Sequence, residues 1–203
     1  MTGGSPPAMV ITLYADRRTL NIADIAGRLA RALAPRIPAP GVVVATPRRR
    51  VRDPVAGVAY APLAPEGTPT EVAEDLQQLA SQYGVTLVAW SGAPNEQALA
   101  VCDASDRVLL VSDLSVPSIR ATQRALKLCT SLGYGREKVC VVLQAPAGDG
   151  ALAPDDAAEA LKREIFWVIP GDGDGEGARS AAYDGLADRL SQAPTGTRRS
   201  PVP

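Results

Sequence analysis

The residues best equipped for chemistry sit in two basic turns. Arg17-Arg18-Thr19 and Asn21 lie between an apolar run at Met9–Tyr14 and a helix-period series at Ile22, Ile25, Ala26, Leu29, Ala30 and Leu33. A helix N-terminus carries free N–H groups and partial positive charge, and two guanidiniums add bidentate donors. This turn could therefore hold an anion; the alternative is a solvated polar turn. Arg48-Arg49-Arg50 with Arg52, framed by Pro47 and Pro54, forms the second cluster. It could meet an acidic partner, acidic lipid or nucleic acid, or stay solvated, and no aromatic residue interleaves it to stack bases.

Two further features invite a chemical reading. Asp172-Gly-Asp174-Gly-Glu176-Gly177 has the spacing of half a calcium loop. The twelfth position, which should supply a bidentate carboxylate, is Tyr183, so an acidic loop is expected and no metal site. Trp90 ends an apolar run, where it either packs in the core or lines the crevice at the strand ends as a partner contact.

Composition removes several functions. The 203 residues contain no histidine, which excludes imidazole acid–base chemistry and histidine metal ligands. Cys102, Cys129 and Cys140 fit no metal spacing and lie among apolar residues, as buried free thiols would. The net charge of −1 gives no general attraction to nucleic acid or anionic lipid. No apolar run approaches the ~20 residues that span a bilayer, and the expected location is cytoplasmic.

The elements that must hold these turns alternate. Apolar runs at Met9–Tyr14, Gly41–Ala45, Val85–Trp90, Arg107–Ser112, Lys138–Gln144 and Ile165–Ile169 read as strands, with a short one at Gly57–Tyr60. Helices are expected over 22–33, Glu71–Tyr83 (capped by Thr70), Glu96–Ala104, Val116–Leu132, Asp155–Lys162 and Ala178–Leu190. Such alternation predicts an α/β three-layer sandwich around a mostly parallel sheet. Runs apolar on both faces predict helices on both sides. One domain is expected over 9–191, with disordered ends at 1–8 and 192–203.

Two stretches, Cys102-Asp-Ala-Ser-Asp-Arg-Val-Leu-Leu-Val111 and Asp113-Leu-Ser-Val-Pro-Ser-Ile-Arg120, carry a family likeness. With the late strand ending in Val168-Ile169-Pro170, they resemble the second half of MinD/ParA-type deviant Walker ATPases. The nearest flavour is the pilus-localisation branch called CpaE or TadZ. The resemblance implies a P-loop NTPase topology. It also implies a phosphate loop between Val10 and Ala30, and there the text departs. Arg17 stands at the signature lysine; Arg18, Thr19 and Asn21 stand at the three glycines. Ile22 replaces the phosphate-binding lysine, and Ala23 replaces the magnesium-binding hydroxyl. The acids expected after the second and third strands are missing from Ala45-Thr46-Pro47 and Ala89-Trp90-Ser91, with Asp53 and Asp113 off register. No lysine occurs before Lys127.

These losses imply a pseudo-ATPase with no cofactor and no metal: a localisation or scaffold protein that works through protein contacts. It is expected to form a homodimer and to be recruited to pilus or secretion machinery at a cell pole or membrane. Rival readings are an anion- or nucleotide-binding regulator without hydrolysis, cradled by Arg17, Arg18 and Asn21, and a ParA-like DNA-positioning protein using Arg48–Arg52. The proline-rich tail offers no amphipathic membrane helix.

Overall fold

The computed structural model describes residues 8–16, 20–38, 41–47, 58–64, 66–145 and 152–192. Arg17, Arg18, Thr19, the Arg48–Arg52 cluster, Asp53 and both chain ends lie outside the described residues.

Seven strands form one sheet: β1 (Met9–Ala15), β2 (Val42–Thr46), β3 (Val58–Pro62), β4 (Val85–Ser91), β5 (Arg107–Asp113), β6 (Val139–Gln144) and β7 (Ile165–Ile169). Their order is β3-β2-β4-β1-β5-β6-β7, and every pairing is parallel. The six helices are α1 (Ile22–Leu33), α2 (Pro69–Gln82), α3 (Glu96–Ala104), α4 (Val116–Ser131), α5 (Pro154–Leu161) and α6 (Glu176–Gln192). All seven expected strands and all six expected helices are present.

Period-two alternation divides the strands between two cores. On one face Ile11, Leu13, Val44, Leu87 and Val111 meet α1 and α6 through Leu29, Leu33, Leu186 and Leu190. On the other, Val10, Tyr14, Val88, Leu110 and Val141 meet α2, α3, α4 and α5 through Leu76, Val101, Leu126 and Leu161. Burying an aliphatic side chain stabilises the fold by about 1.5–3 kcal/mol, so a chain with few aromatics still assembles two cores from Leu, Val and Ile.

Local chemistry sets the ends of the elements and moves two of them from their expected places. Thr68, not Thr70, caps α2, in a box where Glu71 N–H donates to Thr68 Oγ1 at 3.2 Å and Thr68 N–H donates to Glu71 Oε2 at 2.7 Å. Pro69 follows at the first helical position, where its missing N–H costs nothing. The expected acidic loop at 172–177 is instead a single 3₁₀ turn, Asp172–Asp174, after which α6 begins at Glu176. Gly171 N–H donates to Asp174 Oδ2 at 2.8 Å, and Gly175 takes the left-handed φ of 83° that launches the helix. Further along α6, a Cβ on Gly185 would lie 2.6 Å from Trp167 Cζ2, so only glycine lets the helix close on this indole. Trp167 Nε1 donates to Ala182 O at 2.9 Å across the same contact.

The three cysteines are buried and free. Burial pushes the Cys102 thiol up to about 12 and the Cys129 thiol up to about 11. No helix among the described residues is long and apolar enough to cross a membrane.

Candidate functional site

The strand order places the candidate site. From β1 the chain runs through α1 toward β2, on one side; from β5 it runs through α4 toward β6, on the other. The carboxyl ends of the adjacent strands β1 and β5 therefore flank a topological switch point, where open α/β sheets form their binding crevice. Here α1 and α4 begin. The structure brings Asp16, Asn21, Ile22, Ala23, Asp113 and Ser115 to this edge of the sheet.

At the start of α1 the chain supplies acceptors for the Ile22, Asp24 and Ile25 N–H groups. Asn21 is the N-cap, and its Oδ1 accepts the Asp24 N–H at 3.3 Å. The Ile22 N–H donates to Leu20 O at 3.0 Å, and the Asp24 and Ile25 N–H groups donate to Asn21 O at 3.0 and 3.1 Å. Ile22 is 3% exposed and belongs to the α1/α6 core. Ala23 supplies a methyl group. Asp24 adds a carboxylate to the first turn, where it favours the helix dipole and opposes a second anion.

Ion pairs then tie this turn to the rest of the fold. Arg28 Nε lies 3.1 Å from Asp24 Oδ2, and its Nη1 lies 2.6 Å from Glu176 Oε1 at the head of α6. Burial opposes the Arg28 charge, and the hydrogen bonds to Glu176 and Asp24 overcome it and raise its pKa. At the end of β1, Asp16 Oδ2 meets Arg124 Nη2 of α4 at 3.6 Å. The start of α4 is likewise self-capped. Asp113 Oδ1 accepts the Ser115 N–H at 2.9 Å, and Ser115 Oγ accepts the Ser118 N–H at 3.3 Å.

Trp90 is 5% exposed and packs in the α2–α5 core, so the partner-contact reading is corrected to core packing. The ring faces inward because β4 is central and covered on both faces. Gln144 ends β6, half-buried, one strand removed from β1. Asp174 and Glu176 are engaged by Gly171 and Arg28, and no cluster of metal-binding side chains exists among the described residues. The Cys102–Val111 stretch serves the fold: Val10 N–H donates to Asp106 Oδ2 at 2.8 Å, and Thr12 Oγ1 and Ser105 Oγ lie 2.6 Å apart.

Asp16, Asp24, Arg28 and Arg124 are the members that sequence reasoning missed, and Glu176 was read only as part of an acidic loop. The Asp24–Arg28 pair could have been found from its i,i+4 spacing on a helix. The other contacts join elements far apart in the chain.

A seven-stranded parallel sheet with this order and a crevice at the β1/β5 switch point defines a P-loop NTPase fold of the MinD/ParA kind. Solved structures agree. The MinD cell division protein of Aquifex aeolicus superposes with a TM-score of 0.71 at 17% identity, covering 91% of this chain and 97% of its own. A ParA family ATPase from Chlorobium tepidum gives 0.73 at 16%, covering 89% and 98%. The septum site-determining protein MinD of Pyrococcus horikoshii, in complex with Mg-ADP, gives 0.68 at 11%, covering 91% and 96%. No protein-family profile and no curated protein sequence matches.

Proposed function

We propose that this protein is a pseudo-ATPase, a localisation or scaffold protein that keeps the MinD/ParA-like fold without nucleotide chemistry. The observation that carries this reading is Ile22. It stands where the family's text has its phosphate-binding lysine, and it is buried in the α1/α6 core. An isoleucine cannot offset phosphate charge, and no lysine earlier than Lys127 could take over. Ala23 has no hydroxyl for magnesium. Asp24 places negative charge where phosphate would have to sit. Mg-ATP does not fit these residues.

The protein then acts by contact, as a homodimer through the strand-end face. The CpaE/TadZ likeness makes pilus or secretion machinery at a cell pole or membrane its site of recruitment. Sedimentation of the purified protein with and without Mg-ATP tests the reading. The expected result is one mass in both samples and no phosphate release. An ATP-dependent change of mass, or magnesium-dependent hydrolysis, overturns it.

A further inference from the structure

Charges in the α2–α5 layer are sorted by helix. No lysine or arginine occurs between Arg52 and Arg107, and α3 exposes Glu96 and Asp103. Next to it, α4 has no acidic residue over Val116–Ser131 and sets Arg120, Arg124 and Lys127 at i, i+4 and i+7, all exposed on one stripe. The ion pair of this stripe among the described residues is Arg124 with Asp16 at 3.6 Å, which leaves the Arg124 side chain 69% exposed. On its other flank α4 meets the acidic α5 through an uncharged bond, Gln123 Nε2 to Ala160 O at 2.6 Å.

A small apolar hollow lies between these oppositely charged helices. Tyr14 and Leu110 of the sheet form its floor; Leu99 and Cys102 of α3 and Leu128 and Cys129 of α4 form its walls. Leu99 and Leu128 are half-buried. Asp103 is oriented beside the hollow by Tyr134, whose hydroxyl donates to its Oδ1 at 2.6 Å.

The geometry points to a second copy of this chain covering the hollow and the charged faces of α3 and α4, related by a twofold axis that runs between the two helices. Both helices follow parallel strands and start at the same edge of the sheet, so they run side by side in one direction. Rotation about an axis between them lays α3 of one copy over α4 of its partner with no slide along their length. Glu96 and Val116 are the first residues of their helices. At 1.5 Å per residue Arg120 lies about 6 Å further on, Asp103 about 10 Å and Arg124 about 12 Å. Asp103 therefore comes level with the partner's Arg124, while Arg120 and Lys127 stand about one helical turn beyond Glu96 and Asp103, a gap their long side chains can span, and Leu99 and Leu128 close the apolar seam. The contact is isologous, so each complementary set occurs twice. A nucleic acid or anionic membrane drawn to α4 would lie against Glu96 and Asp103 one helix away; a second copy instead meets both signs with their opposites. This surface lies along the outer sides of α3 and α4 and meets the strand-end face of the proposed homodimer only at Arg124, which pairs with Asp16; it goes beyond that reading.

A charge swap tests it by sedimentation velocity. One variant carries Arg120→Glu and Lys127→Glu, leaving Arg124 and its Asp16 pair intact; the other carries Glu96→Arg and Asp103→Arg. The wild-type protein should self-associate at low salt and less at high salt, and each variant alone should bind itself about tenfold more weakly or worse. An equimolar mixture should recover a heterodimer, because each variant then offers what the other lacks. Recovery also shows that both variants fold, and circular dichroism checks this independently. A monomeric wild type, or a mixture of folded variants that stays monomeric, overturns the inference. So does an association that neither charge set alters, which is the result expected of a dimer through the strand-end face alone. A stripe that retains a DNA fragment while the wild-type mass stays that of one chain also counts against it.

Discussion

On the α1/α6 layer Arg28 bridges Asp24 and Glu176, and Arg36 bridges Asp184 and Asp188 at 3.2 and 2.7 Å. On the opposite layer Arg120, Arg124 and Lys127 face outward, with Asp16 as the charged partner met among the described residues. The first set is internal to the fold: Arg28 joins α1 to the head of α6, and Arg36, at the end of the 3₁₀ turn that follows α1, joins that turn to α6. The second set is left for something outside it. The contrast extends to the crevice. In the MinD/ParA-like reading the start of α1 belongs to a ligand; here a core isoleucine, an asparagine cap and an ion-paired aspartate bind it to the protein itself.

Replacing Ile22 with alanine gives the largest expected effect. If the position now belongs to the core, the substitution removes buried methyl groups and destabilises the protein by about 2–5 kcal/mol in denaturant unfolding. A loss well under 1 kcal/mol would place Ile22 outside the core and weaken the claim that the site has been absorbed.

A smaller effect separates the two layers by pH. The hydrogen bond from Arg36 holds the Asp188 carboxyl below its ordinary value, ahead of the opposing effect of burial. A depressed folded value contributes stability above the unfolded value of about 3.9, and this is lost as pH falls through the folded value. Arg36→Met should therefore lower the melting temperature at neutral pH and flatten its fall below about pH 4. Arg120→Met should change neither, because among the described residues that side chain has no ion-pair partner whose titration could register.

The alternation of apolar runs made the three-layer sheet readable in advance, since period and length are local properties of the text. Even the short β3 was legible, although its ends were not. The cap at Thr68 was overlooked for Thr70 because both precede the same acidic turn; Pro69 and Glu71 decide between them. Strand order needed the fold, and so did the identity of the crevice. Trp90 was ambiguous because a strand-ending aromatic fits core and interface equally well until the coverage of β4 is known. Arg28 and Glu176 form one cluster at a separation of 148 residues, which no local pattern announces. The proposed losses at Ile22 and Ala23 rest on the family resemblance, in which a phosphate loop demands particular residues at adjacent positions.

The most direct test of the central claim is a calorimetric titration of ATP, ADP and magnesium into the purified protein. The account predicts no binding heat from any of them, alone or together, since Ile22 and Ala23 offer neither positive charge nor hydroxyl to a phosphate and Asp24 offers a negative charge. Saturable heat at micromolar ligand, lost in an Arg17→Ala, Arg18→Ala variant, would contradict it and make the protein a nucleotide sensor on a rebuilt turn.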